Sequence, residues 1–97
     1  MKTKEQIDLE IAKLNELKPA TREKSLFGDD HHAAIDAQVT VLSDYMDLHD
    51  IYESYGDEST DEFYQNVLDG AIAAYEWMMD GGGAYAAPSE GWSELTA

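Results

Sequence analysis

The chain has 97 residues, of which 21 are Asp or Glu, 6 are Lys or Arg, 3 are His and none is Cys, for a formal charge of −15. That length suits one domain, and 43% apolar residues is too many for a disordered acidic tail. The composition excludes a disulfide framework, a thiol nucleophile and a cysteine metal centre. No apolar run approaches the roughly 18 residues of a membrane helix, and the opening MKTKEQIDLE lacks an apolar signal core, so a cytoplasmic location is expected.

The first predicted helix runs from Thr3 to about Leu17. Thr3 and Gln6 have the spacing of a capping box, in which two side chains satisfy two orphan backbone N–H groups. Ile7, Ile11, Leu14 and Leu17 fall on one stripe, Leu9 points away from it, and Pro19 is expected to end the helix. Ala20–Gly28 reads as a connector. Asp29 or Asp30 is expected to cap a second helix from His31 to about Met46, with Ile35, Val39, Leu42 and Met46 inward and Ala34, Gln38 and Tyr45 beside them. Its opposite face carries Asp36, Thr40, Ser43 and Asp47.

Asp47 is placed to cap a short third helix, Leu48–Tyr55, with Ile51, Tyr52 and Tyr55 inward and Gly56 at its end. A second capping box, Ser59 with Glu62, is expected to open a fourth helix over about Thr60–Met79. Phe63, Val67, Ala71, Ala74 and Met78 make one apolar stripe on it. Tyr64, Leu68, Ile72, Tyr75 and Met79 make a second, so this helix is wide-faced. Glu62, Asp69, Glu76 and Asp80 share its outer face, and Gly81, Gly82 and Gly83 stop it. Residues 84–97 form a tail broken by Pro88 and Gly91, from which Trp92 and Leu95 are expected to pack back. No strand alternation or internal repeat stands out. The expected fold class is all-α: a small bundle of three longer helices and one short one, divided into an acidic helical region over 1–83 and an irregular C-terminal tail over 84–97.

Charge is distributed unevenly along these elements. All six cations lie in the first 24 residues, which net +1. From Ser25 to Ala97 there are 16 acids and no Lys or Arg, where average usage would place roughly nine cations. Phosphate contacts need clustered Lys and Arg, so direct nucleic-acid binding is excluded. Self-repulsion of this size destabilises a compact state, and a strongly cationic partner would relieve it.

The bland alternatives are a solvated polar face and adaptation to high salt. Against the first, a solvated face normally mixes charge signs. The sharper alternative is mimicry of a nucleic-acid backbone. Glu62, Asp69 and Glu76 are one heptad apart, a rise of about 10.5 Å per step, close to three phosphate steps of about 3.4 Å each. Asp44, Asp47, Asp50, Glu53, Asp57, Glu58, Asp61 and Glu62 continue the acids through the middle of the chain, interleaved with Tyr45, Tyr52 and Tyr55. Those tyrosines are read first as core residues with wet hydroxyls.

Other chemistry finds little footing. His32 and Asp36 have a one-turn spacing that Asp29, Asp30 and Asp50 could complete as a divalent site, but no ligand motif is matched, so neither metal nor cofactor is expected. No carboxylate pair, serine motif or phosphate loop is singled out for catalysis, and no enzyme is expected.

The stretch SLFGDDHHAAIDAQVTVL and the closing PSEGWSEL, about a quarter of the chain together, resemble small acidic proteins of phages and prophages. Size, acidity and helical character also resemble phage anti-defence proteins, including anti-CRISPR proteins and DNA mimics that block restriction enzymes. That resemblance implies a stoichiometric inhibitor acting in the host cytoplasm on a CRISPR effector or restriction enzyme. The residues expected to face such a basic partner are Asp36, Asp44, Asp47, Asp50, Glu53, Asp57, Glu58, Asp61, Glu62, Asp69 and Glu76. The alternative is a helical interaction module or homodimer without mimicry, joined through Leu9, Tyr85, Trp92 and Leu95.

Overall fold

In a computed structural model of the chain, which describes the backbone of residues 1–24, 28–56 and 62–95 and the side chains of 1–18, 31–56 and 62–92, α1 spans Lys4–Lys24. The capping box at its start is formed. Thr3 N–H donates to Gln6 Oε1 at 2.9 Å, and Gln6 N–H donates to Thr3 Oγ1 at 3.2 Å. Pro19 does not end α1, contrary to expectation, and the predicted connector is helical as far as Lys24. Proline's fixed φ is itself helical, so its insertion forfeits one ladder bond rather than the direction of the chain. The residues that follow, Ala-Thr-Arg-Glu-Lys, are mostly good helix formers.

Helix α2 spans Gly28–Asp44, so Asp29 and Asp30 fall within its first turn instead of preceding it. Their side chains lie outside the described residues. Two structural differences mark its far end. Met46 is buried but no longer helical, and Tyr45 adopts a left-handed φ of 52°. Met46 N–H donates to Val41 O at 3.1 Å, the long bond of a Schellman ending, with Tyr45 in the position that glycine usually takes. The reversal throws Tyr45 outward, 45% exposed, so it is not a core residue.

Helix α3 spans Leu48–Tyr55. Asp47 caps it as expected, its Oδ1 accepting from Asp50 N–H at 2.8 Å. Ile51 is fully buried and Tyr55 half-buried, but Tyr52 is 52% exposed. Leu48 and Tyr52, one turn apart, are both exposed on this helix, so the inward stripe is narrower than the spacing suggests. Gly56 ends α3 with its N–H on Tyr52 O, and any Cβ there would collide with that same oxygen.

Helix α4 spans Glu62–Met79; the Ser59 capping box and Thr60 lie outside the described residues. Val67, Ala71, Ala74 and Met78 are buried and Phe63 is half-buried, as the first stripe predicts. In the second stripe Leu68, Ile72 and Tyr75 are half-buried, while Tyr64 and Met79 at its two ends are exposed. Trp77, on neither stripe, is buried. Lys2 accounts for it: the ammonium lies 5.4 Å from the centre of the Trp77 ring and donates to Asp80 O at 2.7 Å. A cation at a helix C-terminus complements the partial negative charge there, and the Lys2 stem shields the indole.

Beyond α4, Asp80 organises the glycine turn. Its carboxylate accepts from the N–H groups of Gly82 at 3.0 Å, Ala84 at 2.6 Å and Tyr85 at 3.4 Å. The bond from Gly82, joined by those from Ala84 and Tyr85 and by the Lys2 charge, holds its carboxyl below the usual range against a smaller opposing effect of desolvation.

Where the sequence predicts an irregular tail, Pro88–Leu95 is a 3₁₀ helix. It packs on α1 and touches α4. Trp92 is half-buried against the core as expected; the Leu95 side chain lies outside the described residues. Helix α2 packs against both α1 and α4, and α3 packs against α4. The assembly is a flattened body of 34 × 34 × 21 Å. Burial of α2 on two sides explains why Ala37 and Val41, off its predicted stripe, are as buried as Ile35 and Leu42. At the α2–α4 contact a Cβ on Gly70 would lie 3.3 Å from Ala34 Cβ, so glycine sets how closely those helices approach.

Among the described residues, two polar side chains are buried with the core, Glu10 and Gln38. Gln38 Nε2 donates to Gly70 O at 3.1 Å and its Oε1 accepts from Trp92 Nε1 at 2.9 Å. One side chain on α2 thus ties α4 to the 3₁₀ helix. Glu10 Oε2 accepts from Ser89 N–H at 2.7 Å, fixing the start of the same segment to α1.

Candidate functional site

The acids are carried into position by the turn between α2 and α3. The left-handed Tyr45 reverses the chain, Met46 plugs the corner and Asp47 starts the next helix. Asp44, Asp47, Asp50 and Glu53 are therefore all exposed within one short stretch. Asp44, Asp50 and Glu53 border a shallow concavity floored by Met46 and Tyr55. Glu53 also borders a larger groove of about 690 Å³ between α2, α3 and α4, with Asp36 on its lip and Tyr55, Phe63, Tyr64 and Val67 in its walls. Phe63 and Tyr64 meet edge to face at 5.2 Å.

The other expected residues divide into three groups. Asp36 is exposed but engaged by Lys18 Nζ at 2.7 Å. Glu62 and Asp69 are exposed on α4 and Glu76 is half-buried there; none of the three borders either concavity. Asp57, Glu58 and Asp61 lie outside the described residues. The structure therefore brings Asp36, Asp44, Asp50 and Glu53 to two adjoining hollows, sets Asp47 beside them as a cap, and leaves the α4 acids apart from them.

Among the described residues, three lysines are turned inward or paired with acids. Lys2 is turned inward, its side chain only 10% exposed. Lys18 pairs with Asp36, and Lys4 with Asp8 at 2.7 Å across one helical turn. The hydrogen bond and charge of Asp8 raise the Lys4 pKa above its ordinary value. On α3, His49 Nε2 lies 3.6 Å from Glu53 Oε1 and Nδ1 lies 3.9 Å from Asp50 Oδ1.

Ligand-type side chains gather differently from the one-turn spacing of His32 and Asp36. His32 Nδ1 instead faces Lys18 O at 3.4 Å, and Asp36 takes the Lys18 ammonium. Among the described residues, the group whose ligand atoms come within 4.8 Å of one another is Asp47, His49 and Asp50, all exposed. One of its members already serves as the α3 cap, and all three are open to competing water. Among the described residues no helix is long and apolar enough to cross a membrane.

The aromatic groove is the feature that sequence reasoning missed. Phe63 and Tyr64 stand at the starts of two apolar stripes, and although Phe63 packs against the core, both rings line a hollow. The signal was the acid-and-tyrosine interleaving of α3, which faces those rings across the groove. No known protein family, curated protein or solved structure matches this chain.

Proposed function

We propose that this protein is a phage-encoded inhibitor of a host defence system, anti-CRISPR-like, that lays its acidic surface over a basic nucleic-acid-binding site. The observation that carries this reading is the exposed α2–α3 corner, Asp44, Asp47, Asp50 and Glu53, in a chain without a single Lys or Arg from residue 25 onward. Carboxylates held on a capped helical corner present an array of negative charge, as phosphates do. Inhibition then works by competitive exclusion: charge steers the encounter and a packed fold keeps the acids in place. The protein needs no cofactor and performs no reaction in this role.

The structure also decides which acids a test should reverse. Asp47 caps α3 and Asp36 pairs with Lys18, so reversing either would disturb the fold as well as the surface. Asp44, Glu53 and Asp69 are exposed and serve no hydrogen bond within a cap. The triple variant Asp44→Lys, Glu53→Lys, Asp69→Lys should keep its helical circular dichroism but lose the ability to displace a DNA duplex from a purified CRISPR effector complex or restriction enzyme. A folded triple variant that displaces DNA as well as the wild type would refute the mimicry.

A second reading is favoured by exposed apolar side chains. Leu9 is 58% and Tyr85 49% exposed, as a helical interaction module or homodimer would need. Trp92 is occupied by Gln38 and takes less part in such a contact than the sequence suggests. Sedimentation across a dilution series separates the two readings: a dimer that Leu9→Glu converts to monomer favours the module.

A further inference from the structure

We infer that the groove between α2, α3 and α4 binds an arginine side chain presented by a basic protein segment; this rests on the proposed function and names the partner chemistry of the same surface. The groove has two chemical characters. Its walls are aromatic and aliphatic, from Tyr55, Phe63, Tyr64 and Val67, and its lips carry the carboxylates of Asp36 and Glu53. A phosphate or any other anion is repelled by the Glu53 carboxylate. A neutral apolar ligand gains the walls and nothing from the carboxylates. An amphipathic cation uses both, laying its stem on the walls and its charge at the lip.

The chain itself demonstrates part of this preference. Asp36 holds the Lys18 ammonium at 2.7 Å, so one lip already carries a basic side chain from α1. Glu53, on the α3 side, faces the His49 imidazole at 3.6 Å. Between lysine and arginine, the walls choose arginine. A planar guanidinium stacks on an exposed ring such as Tyr64 while forking two N–H groups onto a carboxylate; an ammonium can sit over a ring, as Lys2 does over Trp77, but as a hydrated point charge it cannot stack flat and fork at once. The hollow, about 690 Å³, is larger than one side chain needs, so neighbouring residues of the same segment enter with it.

The test uses the full chain and two synthetic peptides of equal length and charge, one built on arginine and one on lysine, titrated calorimetrically at low salt. The arginine peptide should bind about tenfold more tightly, the scale of a stacked, forked guanidinium relative to a solvated ammonium. Tyr64→Ala and Glu53→Gln should each erase most of that preference, and Asp69→Asn, outside the groove, should leave the ratio between the peptides unchanged. Tyr64 and Glu53 are exposed, so the variants should retain the wild-type circular dichroism. Equal binding of both peptides, unchanged by Tyr64→Ala, overturns the groove while leaving the acidic surface as a charge mimic. Binding of neither peptide overturns both readings. A self-association that Tyr64→Ala abolishes overturns the arginine occupant in favour of a second copy of the chain.

Discussion

Tyr45 shows how a single residue can carry a cost that its surroundings override. A non-glycine side chain in the left-handed region is unfavourable by about 1 kcal/mol, yet the Schellman bond from Met46 to Val41 and the burial of Met46 hold the turn. Tyr45→Gly should therefore stabilise the fold by about 1 kcal/mol, read as a higher urea midpoint with an unchanged slope. No period in the sequence announces that turn, because a helical stripe through Met46 looks the same whether the chain continues or reverses. Gln38 is the opposite case. It was legible as a neighbour of the core stripe, but its two partners lie 32 and 54 residues away in sequence. Gln38→Ala leaves the Trp92 N–H without its acceptor and opens a small cavity, so it should cost about 2–3 kcal/mol in chemical unfolding.

Asp80 makes a pH-dependent contribution of known sign. Its folded carboxyl titrates below the ordinary 3.8 because the turn N–H groups and Lys2 favour the charged form. The stability it adds is fully present above the unfolded pKa and lost as pH falls through the lower folded value. Asp80→Asn should thus lower the Tm at pH 7, and the gap to wild type should close as the pH is taken well below 3.8. A gap of constant size from neutral to strongly acidic pH would show that the charge of Asp80 plays no part in the turn.

Among elements, the helix starts were the most readable. The Thr3–Gln6 box and the Asp47 cap depend on residues three apart, which is information the local sequence holds. Helix ends were less readable. Pro19 sits inside α1, where packing and good helix formers downstream outweigh one missing backbone bond. A proline in a helix interior is unfavourable by about 3 kcal/mol relative to alanine. Pro19→Ala should raise the Tm, and a lower Tm would mean that α1 relies on the proline. The 3₁₀ helix at the C-terminus was unreadable for a different reason: it is held by Glu10 and Gln38, which belong to α1 and α2. Glu10 lies on the same stripe as Ile7, Leu14 and Leu17, so an acid within an apolar face was the available sign.

For the whole molecule, the all-α class was legible because each long segment carries its own apolar period, and the central position of α2 was not, because both its faces had to be assigned partners. The candidate site was half legible. The acids were identified from composition, and their gathering at the α2–α3 corner depends on a turn that the sequence hides. Net charge belongs to this scale too. With 21 acids against 6 cations, repulsion among exposed carboxylates opposes folding, and screening should relieve it. Raising salt from roughly 0.01 to 0.15 M shortens the Debye length from about 30 to about 8 Å, and the Tm should rise by about 5 °C, a shift on the order of 1 kcal/mol for a domain of this size.

The affinity of the intact protein for a purified basic nucleic-acid-binding complex, measured across a range of salt concentrations, tests the acidic-surface account most directly. Steep weakening as salt rises, by about tenfold or more between roughly 0.05 and 0.2 M, is the predicted result, because several carboxylates must meet fixed cations. Tight binding that does not change with salt would mean the acids are bystanders and the contact is made elsewhere.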